Sequence, residues 1–211
     1  MRESVAHFGS VTQAREAARL GVWVFLATEL MFFGPLFFGY AWGRLKLGAG
    51  FAAASGHTDI MIGTTNTAVL LTSSLFMALA VRAIEIGKRR AATRCLWITA
   101  ALGASFLGLK AFEYLKEWHE QLIPWLDFRF EPPALRNGAA LFYFLYFGMT
   151  GLHALHLTIG IGIVCTFARR LRSHSPAAMR AQLEGAALYW HFVDAIWVVL
   201  FPLIYLVERH G

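Results

Sequence analysis

Five stretches of this chain are each long enough to cross a bilayer, and they hold almost no charge. Leu20 to Trp42 contains only Glu29, and Ile60 to Val81 contains no charge. Cys95 to Leu115 is interrupted only by Lys110 and Glu113 near its far end. Gly138 to Ala168 runs 31 residues without Asp, Glu, Lys or Arg, and Gly185 to Val207 carries only Asp194. Each exceeds the ~20 residues that span a ~30 Å hydrocarbon core at about 1.5 Å per residue. Lipid offers the backbone no hydrogen-bond partners, so stretches of this length must be helices. Of the 19 Lys and Arg and 13 Asp and Glu residues among 211, four fall inside the stretches. That distribution excludes a soluble globular domain, a disordered tail and a disulfide scaffold. It predicts an all-α polytopic membrane protein, a single domain over residues 1–211. Its five spans are read at about 20–42, 60–81, 95–115, 138–168 and 185–207.

The remaining charges set topology. The N-terminal segment and the loops after the second and fourth spans hold twelve Lys and Arg residues, against six on the opposite side. A two-to-one bias predicts a cytoplasmic N-terminus and an outer, periplasmic C-terminus. The net charge of +6 is thus an orientation signal, and no zinc-finger, helix-turn-helix or RNA-binding pattern points to nucleic acid. Cys95 and Cys165 lie in separate spans with no metal-ligand spacing, which fits inert buried thiols. The residues before Leu20 show no cleavage pattern, so the first span is expected to persist. Lys116 to Asn137 is the longest polar connection and carries Trp118 and Trp125; a loop that long and aromatic is expected to dock on the protein. Trp42, Trp97, Trp118 and Trp125 fall where an interfacial belt belongs, and Gly34–Pro35 predicts a bend in the first span.

Polar residues inside the spans are the candidate functional groups. Glu29 is nine residues past Leu20, roughly 14 Å deep, and Asp194 sits equally far past Gly185. A mid-span carboxylate costs on the order of 2.5–3.5 kcal/mol, so each is protonated, paired or turned toward protein. Two readings stand for each: a proton-handling acid, or a carboxyl hydrogen-bonded between helices. His191 precedes Asp194 by three residues and shares its helix face; His153 and His156 repeat that spacing. Three intramembrane histidines raise metal or haem ligation, but no Glu-x-x-His pair is present. His156 and His191 also differ in depth by about 9 Å, counted at ~1.5 Å per residue. A polar interhelical network of Glu29, His153, His156, His191 and Asp194 is the plainer reading. Lys110 and Glu113, also three apart, suit an ion pair with the lysine snorkelling outward. Asn66-Thr67 and Thr72-Ser73-Ser74 supply hydroxyls and an amide of the kind that joins helices.

These residues carry a family likeness. Thr150-Gly151-Leu152-His153-Ala154-Leu155-His156 and Tyr189-Trp190-His191-Phe192-Val193-Asp194-Ala195-Ile196-Trp197 resemble subunit III of haem–copper oxidases, the cytochrome c oxidase type. Trp23 to Phe33 with Glu29, Asn66-Thr67 with the Leu-Leu-Thr-Ser-Ser run, and Glu113-Tyr114 extend the likeness through all five spans in order. The resemblance implies a non-catalytic subunit of a respiratory terminal oxidase in a bacterial inner membrane. It would pack on subunit I, stabilise it and support proton uptake, with subunit II nearby. It implies no cofactor in this chain, haem and copper in the partner subunits, and bound phospholipid. Five-helix relatives include subunits of quinol oxidases and subunits associated with nitric oxide reductase. Relative to the seven-helix form the first two helices are missing. The resemblance also matches Glu184 to an acidic position before the last helix and Arg170 to a basic position at lipid headgroup level. A free-standing haem-binding membrane enzyme and a proton-conducting transporter remain readings of a different class.

Overall fold

Helix signals in the connecting segments decide where the apolar runs begin and end. The protein was analysed as a computed structural model that describes residues 11–126, 128–171 and 176–206. The span end read at Val207 and the histidines His7, His174 and His210 lie outside the described residues. Among the described residues there are five α-helices: α1 (Val11–His57), α2 (Ile60–Glu85), α3 (Arg89–His119), α4 (Arg136–Arg170) and α5 (Pro176–Phe201), the last continuing as a π turn, Pro202–Leu206. All five are long and apolar enough to cross a membrane. The fold is an all-α, multi-pass membrane architecture, with no strand among the described residues.

Asp59 starts α2 by accepting hydrogen bonds from the backbone N–H of Met61 (2.9 Å) and Ile62 (3.3 Å), which satisfies donors that a helix start leaves open. α2 ends at Gly87, whose φ of +70° is the left-handed position that glycine fills without strain. There Lys88 N–H bonds Ala83 O (2.8 Å) and Gly87 N–H bonds Ile84 O (3.1 Å), the paired bonds that close a helix around such a glycine. This tight turn holds α2 and α3 side by side, the most extensive helix pairing in the molecule.

α1 departs from the sequence reading. It does not stop near Trp42 but continues to His57, with one non-helical residue, Leu47 (φ −128°, ψ 35°), and it carries Pro35 within the helix. The break therefore falls twelve residues beyond the proline. Past it, Gly50 meets Gly138 of α4 so closely that a Cβ on Gly50 would lie 2.6 Å from the Gly138 Cα. Small residues allow such backbone approach between membrane helices. Phe51 and Ala54 are buried beyond the contact, so the 47–57 segment is packed protein and not a free loop. From the two sides of the break, the Tyr40 hydroxyl donates to Leu203 O and the Ser55 hydroxyl to Ile204 O. These carbonyls lie at the end of the last helix, where intrahelical partners run out.

α5 is anchored by tryptophans. Trp190 and Trp197 are fully buried; their indole N–H groups donate to Ser73 Oγ (3.1 Å) and Thr67 Oγ1 (3.0 Å) of α2. Trp190 occupies a slot made by Gly103 of α3 and Gly160 of α4, where a Cβ would come within 2.9 and 3.2 Å of its ring. Between α3 and α4 the connection folds back onto the bundle, burying Leu122, Phe128 and Phe130. Trp42, Trp118 and Trp125 are exposed, as side chains facing lipid or the membrane interface are.

Candidate functional site

The intramembrane polar residues do not form one network; they separate into three sites. The first joins α1 to α4. Glu29 Oε2 lies 2.7 Å from His156 Nε2, with side-chain exposures of 18% and 12%. His156 Nδ1 lies 2.8 Å from Leu152 O, a carbonyl that can only accept, so Nδ1 carries a hydrogen. One proton must then occupy the Nε2···Oε2 contact, on either the imidazole or the carboxyl. Either way the pair is neutral as a unit, which answers how a carboxyl is tolerated at this depth. The Tyr189 hydroxyl of α5 donates to His156 O at 2.9 Å. Glu29, His156 and Tyr189 line a lateral groove of about 640 Å³ between α1, α4 and α5, otherwise walled mainly by apolar side chains such as Phe25, Ile159 and Phe167.

The second site lies between α2, α4 and α5. His191 Nδ1 is 2.6 Å from Ser74 Oγ, so the histidine turns to α2 and does not bond Asp194, its neighbour three residues on. Asp194 and His153 are buried; neither ring nitrogen of His153 has a hydrogen-bond partner, and the polar group acting on the Asp194 carboxyl is the Ser74 hydroxyl. His153 packs instead against the rings of Phe106 (5.4 Å between centroids) and Trp197 (5.2 Å). His156 and His191 address different helices. Among the described residues no three His, Cys, Asp or Glu side chains gather to hold a metal ion.

The third site, near the end of α3, differs most from the sequence reading. Lys110 does not snorkel; it is 3% exposed, and Glu113 is 2% exposed. Lys110 Nζ donates to Glu113 Oε2 (2.9 Å), the Tyr146 hydroxyl (3.0 Å) and the Tyr205 hydroxyl (3.0 Å). Those three bonds use every hydrogen an ammonium has. Tyr205 in turn donates to Glu113 Oε1 at 2.6 Å. The rings of Tyr114, Tyr146, Trp197 and Tyr205 surround the ammonium at 4.8–5.6 Å from their centroids, within cation–π range. Glu117, assigned to the outer connection by its sequence, completes this site at 5% exposure. It continues the 110, 113 helix face one further turn, and that spacing was the available signal. Tyr146 and Tyr205 come from α4 and the π turn and had no local signal.

At the membrane surface, Glu184 accepts from Arg180 Nε (2.8 Å), and Arg180 also reaches Glu85 Oε1 (2.8 Å), which pairs through its other oxygen with Arg82 (2.8 Å). This chain of charges ties the start of α5 to the end of α2. Arg170 is the last residue of α4 and is exposed. Cys95 and Cys165 are free and partly buried.

Fold and site together define a multi-pass helical membrane protein with a polar interior. The family model for cytochrome c oxidase subunit III matches residues 1–122 and 129–208. The chain is 33% identical over 192 residues to cytochrome c oxidase subunit 3 of Thermostichus vulcanus, covering 90% of this chain and 87% of that one. It is 31% identical over 196 residues to the protein of that name from Alkalihalophilus pseudofirmus, covering 91% and 87%. Against that of Dasypus novemcinctus identity is 30% over 213 residues, covering 97% of this chain and 75% of the relative. The chain belongs to the cytochrome c oxidase subunit III family, and membership implies a place in a cytochrome c oxidase complex.

Proposed function

We propose that this chain is the non-catalytic subunit III of a respiratory terminal oxidase, acting as one transmembrane unit in a bacterial inner membrane. It packs on subunit I, the subunit expected to bear the oxygen-reducing haem and copper, stabilises it, and supports its proton uptake. Subunit II completes the electron-input side. The observation that carries this reading is a family match running through all five spans. The neutral Glu29–His156 pair supports a structural contribution, because it joins two helices and leaves no net charge in the span. With the N-terminus in the cytoplasm, the basic loops face the side from which protons are taken up. The intramembrane groups Glu29, His153, His156, His191 and Asp194 then serve helix association, with Glu184 and Arg170 at the headgroup level. Phospholipid is the expected occupant of the lateral groove.

The role is tested by removing the chain from the purified oxidase and adding it back. The depleted complex should melt at lower temperature and consume oxygen more slowly, with its haem retained, and readdition should restore both. A depleted complex with unchanged melting and unchanged turnover would refute the stabilising role.

A further inference from the structure

The cluster at the end of α3 holds two buried carboxyl groups and one cation. Its hydrogens can be counted. Tyr205 spends its single hydrogen on Glu113 Oε1, so it can only accept from Lys110. Tyr146 also accepts from Lys110 and approaches the Glu117 carboxyl as a donor. Lys110 is therefore an ammonium with all three hydrogens committed, and Glu113 accepts from it on one oxygen and from Tyr205 on the other. Those two charges cancel. Glu117 feels the Lys110 charge but has no hydrogen bond from it: the three ammonium hydrogens are spent elsewhere, and the Glu117 Oε2 is buried without a partner. The other groups acting on it are Glu113 of its own helix, the Tyr146 hydroxyl and Glu120 just past the helix end. Every one of these is neutral or negative. Ionised, Glu117 would be a second buried carboxylate sharing one ammonium whose hydrogens are already committed, an arrangement that low-dielectric surroundings penalise.

We propose that Glu117 is a proton-holding site, a buried carboxylic acid that keeps its proton at neutral pH while Lys110 is hydrogen-bonded to Glu113. Its place suits exchange with water on one side only. It lies two residues before the end of α3 at His119, beyond the apolar run that ends at Leu115. The proton leaves when positive charge arrives nearby to stabilise the carboxylate, so the site couples its occupancy to charge at that end of the molecule. The inference concerns this chain alone and does not rest on assembly into an oxidase.

Infrared spectroscopy of the purified chain at neutral pH tests it. The spectrum of the wild type minus that of Glu117→Gln should contain one protonated-carboxyl C=O band per chain, shifting to lower frequency in D2O. Glu117→Asp should move that band, and Glu113→Gln should leave it in place while removing a carboxylate band. If Glu117→Gln removes a carboxylate band instead, or removes neither, the proposal is overturned. Unfolding of Glu117→Gln would overturn it too, because an amide donates and accepts much as the protonated acid does.

Discussion

Lys110 and Glu113 depend on each other, and the dependence is measurable. Lys110→Met leaves Glu113 as a buried, uncompensated charge and should cost on the order of 3–5 kcal/mol of unfolding free energy. Adding Glu113→Gln should restore most of that loss, because it removes the stranded charge. A double variant no better than the single one, in detergent-phase unfolding, would contradict the pairing. The Glu29–His156 bond gives a milder case. Glu29→Gln keeps a polar partner for Nε2 and should leave the melting midpoint nearly unchanged. Glu29→Ala strands Nε2 and should cost about 1–3 kcal/mol. Sequence spacing exposed part of these sites. The three-residue separation of Lys110 and Glu113 places them on one helix face, but it carries no record of the tyrosines that arrive from α4 and the π turn. Burial therefore reversed the snorkelling expectation. Equal spacing also sets His191 and Asp194 on one helix face, yet Ser74 of a neighbouring helix takes the histidine. Such choices depend on interhelical geometry, which local periodicity does not encode.

Among the elements, the contact between α1 and α4 is the one most sensitive to a single methyl group. Gly50→Ala would place its Cβ 2.6 Å from the Gly138 Cα and 2.9 Å from Leu135 O. Backbone cannot step aside as a side-chain tip can, so the helices must separate, at about 1–3 kcal/mol. Gly56→Ala, with nothing within 4 Å of the new Cβ, should change stability by no more than about 0.5 kcal/mol. Equal effects of the two substitutions on thermal unfolding would remove the close approach from the account. The same contact explains why one helix end was misread. The segment after Trp42 is rich in glycine and alanine and carries Arg44 and Lys46, so by composition it reads as a connection. Its helicity comes from packing against α4, which tertiary structure supplies. Apolar run length, by contrast, sufficed to count the spans, because lipid forces every crossing stretch to satisfy its own backbone.

For the whole molecule, scarce charge in five long stretches carried the membrane architecture, while the ordered motifs in all five spans carried the family. The partners of a subunit leave a weaker trace. α1 packs chiefly on α4 and presents Trp23, Met31, Phe32 and Phe38 outward, and an apolar surface of that kind suits lipid tails and another membrane helix equally well. Nothing in the composition separates the two, so assembly has to be observed. The most direct measurement is isolation of the affinity-tagged chain from native membranes in mild detergent, with a visible absorbance spectrum and identification of the accompanying proteins. The account predicts that a haem–copper subunit I comes with it, and that all haem stays with that partner when the two are separated. Recovery of the chain without such a partner, or with its own stoichiometric haem lost in His156→Ala, would contradict it.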